Sequence, residues 1–334
     1  MYSDSQIRRT DKGGMLSAYQ RWPSLAREGF SAKVAPPEHR PDRAYIMGMG
    51  GSAAAGDILA GWFSERNELE VSVLKGRVPF VEMKGSIALA CSVSGDTEET
   101  LQMMKAVVEK GATTIAISGN GRIKATAGAL GIPHIQVPPA LAQRLMLPFL
   151  VYSALAVLNT ACKLGCDSEV EESIGSLESE WKEASLSSPE PANQAKALAS
   201  SLVGKTPAIY ADRVAFGVGI RFKNVINENS KRHAHFDAVP EAFHNEIESW
   251  EDPGTDFLPV FIRHSAETKR DAEKLDHMVG LLDAKGKAPV QVRGRGRSLL
   301  SQLMSMTYRL DMTSYYLALP RCSVQARGRS WHSS

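Results

Sequence analysis

Two short segments of this sequence place small, donor-rich residues where an anion could be held. The first, Gly48-Met49-Gly50-Gly51-Ser52, lies between an apolar run, Ala44–Met47, and an alanine-rich stretch, Ala53–Phe63. A glycine-rich turn from strand to helix presents backbone N–H groups beside a helix N-terminus, where donors and helix dipole stabilise negative charge. The second, Cys91-Ser92-Val93-Ser94-Gly95-Asp96-Thr97, again leads from an apolar run into a helical stretch. One Ser, Thr or Asp suffices to cap a helix. Three hydroxyls around a glycine exceed that need and fit a phosphate cradle. Gly48, Gly50 and Ala53 also fit the dinucleotide fingerprint G-x-G-x-x-G/A. That reading needs an acidic residue about 20 positions on, at the end of the second strand, to hold a ribose. The second apolar run ends in Leu74-Lys75 and carries Glu70 at its other end, so an NAD-dependent dehydrogenase is the weaker reading.

The two turns converge only if they stand at one end of a parallel sheet. From Arg43 onward, apolar runs at Ala44–Met47, Glu70–Leu74, Ile87–Cys91, Thr114–Ser118 and His134–Val137 alternate with helical stretches. One of these, Glu98–Lys110, places Leu101, Met104 and Val108 on one face and is followed by Gly111 as a stop. Such alternation predicts a parallel sheet with right-handed crossovers and helices on both faces. Five units of this kind make a first domain, residues 1–165. The polar stretch Asp167–Asn193 fits a linker carrying a helix. Apolar runs then resume at Ala208–Ala211, Phe257–Ile262 and Pro289–Val292, with helices expected over Val214–Asn227, Ala266–Leu282 and Ser298–Leu319. The expectation is a second α/β domain, residues 166–320. Residues 321–334 lack helical periodicity and read as a divergent tail, disordered or translated in a shifted frame.

Composition narrows the classes. With 334 residues, 43% hydrophobic and 23% charged, the chain has the profile of a globular protein, and its net charge of +2 argues against nucleic acid as a partner. Cys162 and Cys166 are spaced like a metal pair, but no second pair follows, so these two, with Cys91 and Cys322, read as inert thiols in a reducing cytosol. The N-terminus has no apolar signal segment. Leu145–Leu158 is shorter than the ~20 residues of a membrane span and reads as a buried helix. A cytoplasmic protein with no membrane partner is expected.

Gly50-Gly51-Ser52 with Ser92-Val93-Ser94-Gly95-Asp96-Thr97 resembles the sugar isomerase (SIS) domain, a five-stranded parallel sheet that binds phosphosugars. Three further segments resemble the bifunctional phosphoglucose/phosphomannose isomerases. They are Ala142-Gln143-Arg144-Leu145-Met146-Leu147-Pro148, Lys223-Asn224-Val225-Ile226-Asn227-Glu228-Asn229, and Pro240-Glu241-Ala242-Phe243-His244-Asn245-Glu246-Ile247. The resemblance runs from about Tyr45 to about Leu319 in the family's order and spacing. It implies two doubly wound SIS domains, each with a five-stranded sheet flanked by helices.

The resemblance implies interconversion of glucose 6-phosphate, and of mannose 6-phosphate, with fructose 6-phosphate through a cis-enediolate. Ser52, Ser92, Ser94 and Thr97 would hold the phosphate, and Gly50 and Gly51 would leave room for the sugar. Glu228 would move the proton between C2 and C1, which one carboxylate can do for both carbons. Arg144 would stabilise the enediolate, as a fixed cation does best in a water-poor site. His244 would open the ring, reaching the site of the neighbouring subunit in a homodimer. No metal or cofactor is expected. Outside this context Glu228 is an ordinary carboxylate at a helix end, Arg144 a solvated charge and His244 a loop imidazole. The family also carries a lysine near its C-terminus, after an L-A-x-x-R-G-V-x-P segment. Here Tyr315-Tyr316-Leu317-Ala318-Leu319-Pro320-Arg321 begins that match, the following residues do not continue it, and no lysine occurs after Lys287. Loss of that lysine is what a non-catalytic SIS-domain sugar-phosphate regulator would show. Retention of Glu228, Arg144 and His244 is what an enzyme would show.

Overall fold

The computed structural model describes residues 10–189, 192–251 and 256–319. Two short helices, α1 (Met15–Gln20) and α2 (Trp22–Phe30), precede the first sheet. That sheet comprises β1 (Arg43–Met47), β2 (Glu70–Leu74), β3 (Ser86–Ser92), β4 (Thr113–Ser118) and β5 (His134–Gln136), interleaved with α3 (Gly50–Ser64), α4 (Glu98–Glu109) and α5 (Arg122–Ala129). Its strands are all parallel, in the order β2-β1-β3-β4-β5. Every residue of β3 is buried, as expected of a strand covered on both faces, and this is why its sequence is a continuous run of small and apolar residues. These elements match the sequence reading to within a few residues.

The helix α6 (Leu147–Cys162) continues from a 3₁₀ turn at Gln143–Met146. Together they span 20 residues, apolar and long enough to cross a membrane, yet 89% of the most apolar window is buried in the fold. Burial inside the protein, rather than shortness, identifies it as a core helix.

Next come α7 (Asp167–Glu183), α8 (Gln194–Ser201), β6 (Thr206–Ala211), α9 (Phe216–Val225), β7 (His235–Ala238), β8 (Phe257–Arg263), α10 (Lys269–Ala284), β9 (Val290–Arg293) and α11 (Leu299–Ala318). The second sheet is parallel in the order β7-β6-β8-β9. Among the described residues it has four strands, one fewer than the resemblance implied. The stretch read as a linker carrying a helix does hold one, α7, but that helix is a core element. One face of α7, including Val170, Ile174, Leu177 and Glu180, is buried, and this helix packs on α11. Residues 300–317 of α11 are all buried, so the helix runs through the interior with no solvent face. Its charged residues are paired: Arg309 with Glu180, and Asp311 with Arg221.

One hydrophobic cluster joins the two halves. It runs from Ile46, Leu89 and Ile117 through α2 and α6 to Ile209, Val260 and α11. The helices that follow β1 and β6 also cross closely. A Cβ on Gly61 would lie 2.0 Å from the Val214 carbonyl oxygen, and one on Gly217 would lie 2.4 Å from Ile58 N. Glycine is required at both positions, and the close crossing brings α9 against the turn that opens α3.

Candidate active site

In the first sheet, β2 lies on one side of β1 while β3, β4 and β5 follow on the other. The crevice where strand order reverses is the usual ligand site of such sheets, at the carboxyl ends of the strands. Both turns singled out in the sequence stand there. They touch, because a Cβ on Gly48 would come within 3.1 Å of the Cys91 carbonyl oxygen. Gly50 is exposed with φ +50, and no side chain caps α3. A Cβ on Gly51 would sit 3.4 Å from Arg221 Nη1 and 3.5 Å from Arg144 Cα, so a long side chain there would fill the approach.

At the end of β3 three hydroxyls form a triangle. Ser92 Oγ lies 2.9 Å from Thr97 Oγ1 and 3.3 Å from Ser94 Oγ, and Ser94 Oγ lies 3.4 Å from Thr97 Oγ1. Gly95 N donates to Ser92 Oγ at 3.2 Å. Gly95 has φ +78, and a Cβ there would meet the Asn120 carbonyl oxygen at 2.3 Å, so the tight turn needs glycine. Thr97 occupies the N-cap of α4 but its side chain makes no capping bond. Asp96 caps a different helix, accepting from Arg122 N at 3.0 Å. Helix capping therefore does not account for the hydroxyls. What remains is a cluster of donors beside a helix N-terminus that no side chain caps, the kind of arrangement that suits an anion.

The charged groups come from outside that sheet. Arg144, on the 3₁₀ turn before α6, places Nη1 3.4 Å from Glu228 Oε2. Its Nε donates to Asn229 Oδ1 at 2.6 Å. Glu228 lies in a π-helical turn, Ile226–Ser230, that widens the end of α9; such bulges are frequent at functional sites. The Glu228 side chain is 43% exposed and that of Arg144 23%, so both remain accessible to a ligand. Beneath them Arg221 donates to the Arg144 carbonyl at 2.8 Å and grips Asp311 with two bonds, at 3.0 and 2.6 Å. Tyr19 donates to Asp311 Oδ2 at 3.2 Å. Burial pushes the Asp311 carboxyl above the ordinary carboxylate value, and the Arg221 guanidinium pulls it back in part.

The structure thus brings together Gly51, Arg144 and Glu228, with Gly50 and Ser52 in the same turn and Ser92, Ser94 and Thr97 across the crevice. His244 stands apart. Its ring is exposed, its backbone N–H donates to Glu241 O at 2.8 Å, and among the described residues no hydrogen bond or ion pair joins its side chain to the others. The segment after it is anchored: Tyr210 donates to Glu246 Oε1 at 2.6 Å and accepts from Trp250 Nε1 at 2.8 Å. Residues 320–334, where the family lysine was sought and where Cys322 lies, fall outside the described residues. Cys91, Cys162 and Cys166 are buried free thiols, and burial pushes Cys166 up to about 11. The dinucleotide reading finds no support at β2. Glu70 pairs with Arg43 at the strand's start, and Lys75 at its end pairs with Asp57 at 2.8 Å.

Arg221, Asp311, Asn229 and Tyr19 were not identified from the sequence. A usable signal was there: Asp311 and Arg221 are charges set within apolar helical stretches, where an unpaired charge would be expensive.

A doubly wound sheet with a glycine turn and a hydroxyl triangle at its switch point, fused to a second parallel sheet, defines a double SIS-domain protein. Residues 191–321 match the bacterial phospho-glucose isomerase C-terminal SIS domain. The chain is 32% identical over 288 residues to a bifunctional phosphoglucose/phosphomannose isomerase of Caldicellulosiruptor bescii, covering 83% of this chain and 84% of the relative. It belongs to the bifunctional phosphoglucose/phosphomannose isomerase family. A further relative, D-glucosamine-6-phosphate 4-epimerase of Sulfolobus acidocaldarius, is 28% identical over 250 residues, 74% of this chain and 77% of that protein. Among solved structures, the C-terminal domain of glucosamine-fructose-6-phosphate aminotransferase from Francisella tularensis superposes with a TM-score of 0.70 at 14% identity, covering 92% of this chain and 96% of that one. That likeness is one of fold.

Proposed function

We propose that this protein is an aldose–ketose isomerase that interconverts glucose 6-phosphate, and mannose 6-phosphate, with fructose 6-phosphate. The observation that carries the proposal is the Glu228–Arg144 pair, a carboxylate and a fixed cation 3.4 Å apart, with Arg144 packed against the glycine turn, where a Cβ on Gly51 would lie 3.5 Å from Arg144 Cα. The phosphate would be held by Ser52, Ser92, Ser94, Thr97 and the free N–H groups of the helix N-termini. Glu228 takes the proton from one carbon and returns it to the next, which a cis-enediolate allows because both carbons present the same face to one base. Arg144 lowers the energy of the enediolate oxygens as charge develops on them. If the C2–C3 bond rotates while the enediolate exists, the same base serves mannose 6-phosphate.

His244 opens the ring in this reading. Its exposure, and its lack of a bond to Glu228 or Arg144, support a homodimer in which it serves the neighbouring subunit's site. The protein would act in the cytoplasm, in glycolysis and gluconeogenesis. A purely regulatory sugar-phosphate module has no need of a carboxylate and a guanidinium held together at the anion site, so the pair favours an enzyme.

The test is conversion of fructose 6-phosphate by purified protein in excess EDTA, with glucose 6-phosphate read by a coupled dehydrogenase. The proposal expects turnover that Glu228→Gln abolishes while fructose 6-phosphate still binds. Tight binding with no turnover in the unmodified protein would favour the regulator. Turnover of an amino-sugar phosphate at C4 alone would favour an epimerase.

A further inference from the structure

Asn229 adjoins Glu228 in the π-helical turn and touches Arg144, and its amide has only one workable orientation. Its Oδ1 accepts from Arg144 Nε at 2.6 Å, while its Nδ2 faces Tyr19 Oη at 3.2 Å and Ser314 Oγ at 2.8 Å. Both hydroxyls have committed their protons elsewhere: Tyr19 donates to Asp311 Oδ2, and Ser314 donates to the Asp311 carbonyl at 2.6 Å. They can only accept, so an NH₂ group must face them and the carbonyl must face the guanidinium. Of the natural side chains of this size, only an asparagine satisfies both sides. An aspartate would turn a second oxygen on two hydroxyls with no proton to give. A leucine would leave Arg144 Nε unpaired.

Arg144 is thus gripped at two points. Arg221, itself locked on Asp311, holds its carbonyl, and Asn229 holds Nε. Ser230, the next residue, donates to the Ser314 carbonyl at 2.9 Å and fixes the far side of the turn. The turn therefore points Asn229 and Ser230 inward while Glu228 stays accessible. The acceptor on Nε is also neutral, so it orients the guanidinium without cancelling its charge.

We infer that Asn229 is a positioning residue for the isomerase reaction, holding the Arg144 guanidinium by Nε so that its Nη edge, still fully charged, faces the reacting carbons beside Glu228. The inference rests on the isomerase reading of the site. The charged and titratable groups around it are Arg144, Arg221, Asp311, Tyr19 and Glu228.

The experiment compares Asn229→Ala and Asn229→Asp with the unmodified protein and with Arg144→Gln, each checked for folding by urea unfolding. Expected for Asn229→Ala is a fall in kcat of tenfold or more with KM for fructose 6-phosphate changed less than threefold, because the phosphate site is untouched. Expected for Asn229→Asp is a similar fall in kcat and an acid limb of the pH–kcat/KM profile moved to higher pH, since a second carboxylate beside Glu228 raises its pKa. A residue that only supports the fold would not produce a fall in kcat at unchanged KM in the folded Asn229→Ala protein, whereas the acid-limb shift reports only the charge added beside Glu228. Folded Asn229→Ala with unchanged kcat, alongside an inactive Arg144→Gln, would overturn the inference and leave the isomerase reading standing. Full kcat in Arg144→Gln would overturn both.

Discussion

Thr97→Val separates the two roles a threonine can have at the start of a helix. The substitution keeps the shape and removes one hydroxyl, which lies 2.9 Å from Ser92 Oγ and 3.4 Å from Ser94 Oγ but makes no capping bond to α4. Ser92 retains its bond from Gly95 N, so the turn stays tied. The folded state therefore loses little, and the urea midpoint should correspond to a change of under about 0.5 kcal/mol. Binding should suffer more. A hydroxyl donating to a phosphate oxygen contributes about 1.5–3 kcal/mol, which weakens fructose 6-phosphate binding by roughly 10- to 150-fold when it is removed. Titration calorimetry on the variant gives the dissociation constant, and urea unfolding gives the stability. If Thr97 is a cap, the pattern inverts: stability falls by about 1 kcal/mol and affinity holds. That result would refute the phosphate-cradle argument.

Other expectations follow from the same geometry. Arg221→Met leaves the Asp311 carboxylate fully buried with only the Tyr19 hydroxyl for company, which should cost about 3–5 kcal/mol in urea unfolding, while Arg221→Met/Asp311→Leu should recover most of it. Glu172 on α7 accepts from the Arg297 and Ser298 backbone N–H groups at the start of α11, and the bond from Arg297 N is the largest cause holding its carboxyl below the ordinary value of 4.5. A depressed folded-state value means the contribution is present above pH 4.5 and lost as pH falls through the lower one. The stability difference between the unmodified protein and Glu172→Gln should therefore shrink below pH 4.5 in denaturant titrations; a constant difference would contradict this. If the proposed homodimer with His244 in the neighbouring subunit's site holds, co-refolding inactive Glu228→Gln and His244→Ala chains should restore on the order of a quarter of full activity, since half the dimers would be mixed and each mixed dimer would have one intact site. No recovery would place His244 at its own chain's site, and an active His244→Ala chain would place it at neither.

The parts of the sequence that could be read were those whose local pattern and tertiary role coincide. β3 is buried on both faces and so reads as an apolar run, and the residues of its terminal turn need no partner beyond the same crevice. β7 did not read as a strand because His-Phe-Asp-Ala is a short edge segment, its first residue exposed and the others half-buried. α7 looked like a helix within a linker because its buried face includes Ser173, Ser176 and Glu180. Those groups are satisfied by Tyr152, Ser301 and Arg309, partners supplied only by the fold. The Arg221–Asp311 pair joins residues 90 positions apart, and the π-helical widening that sends Glu228 outward and Asn229 inward has no period a sequence pattern can register.

The account's central claim is proton transfer by Glu228 through an enediolate. Isomerisation of fructose 6-phosphate in D₂O, followed by NMR of the glucose 6-phosphate formed, tests it directly. Deuterium at C2 of the product, absent with Glu228→Gln, is the predicted result. Full turnover by Glu228→Gln, with deuterium still entering C2, would mean that another base moves the proton, and would contradict the role assigned to Glu228.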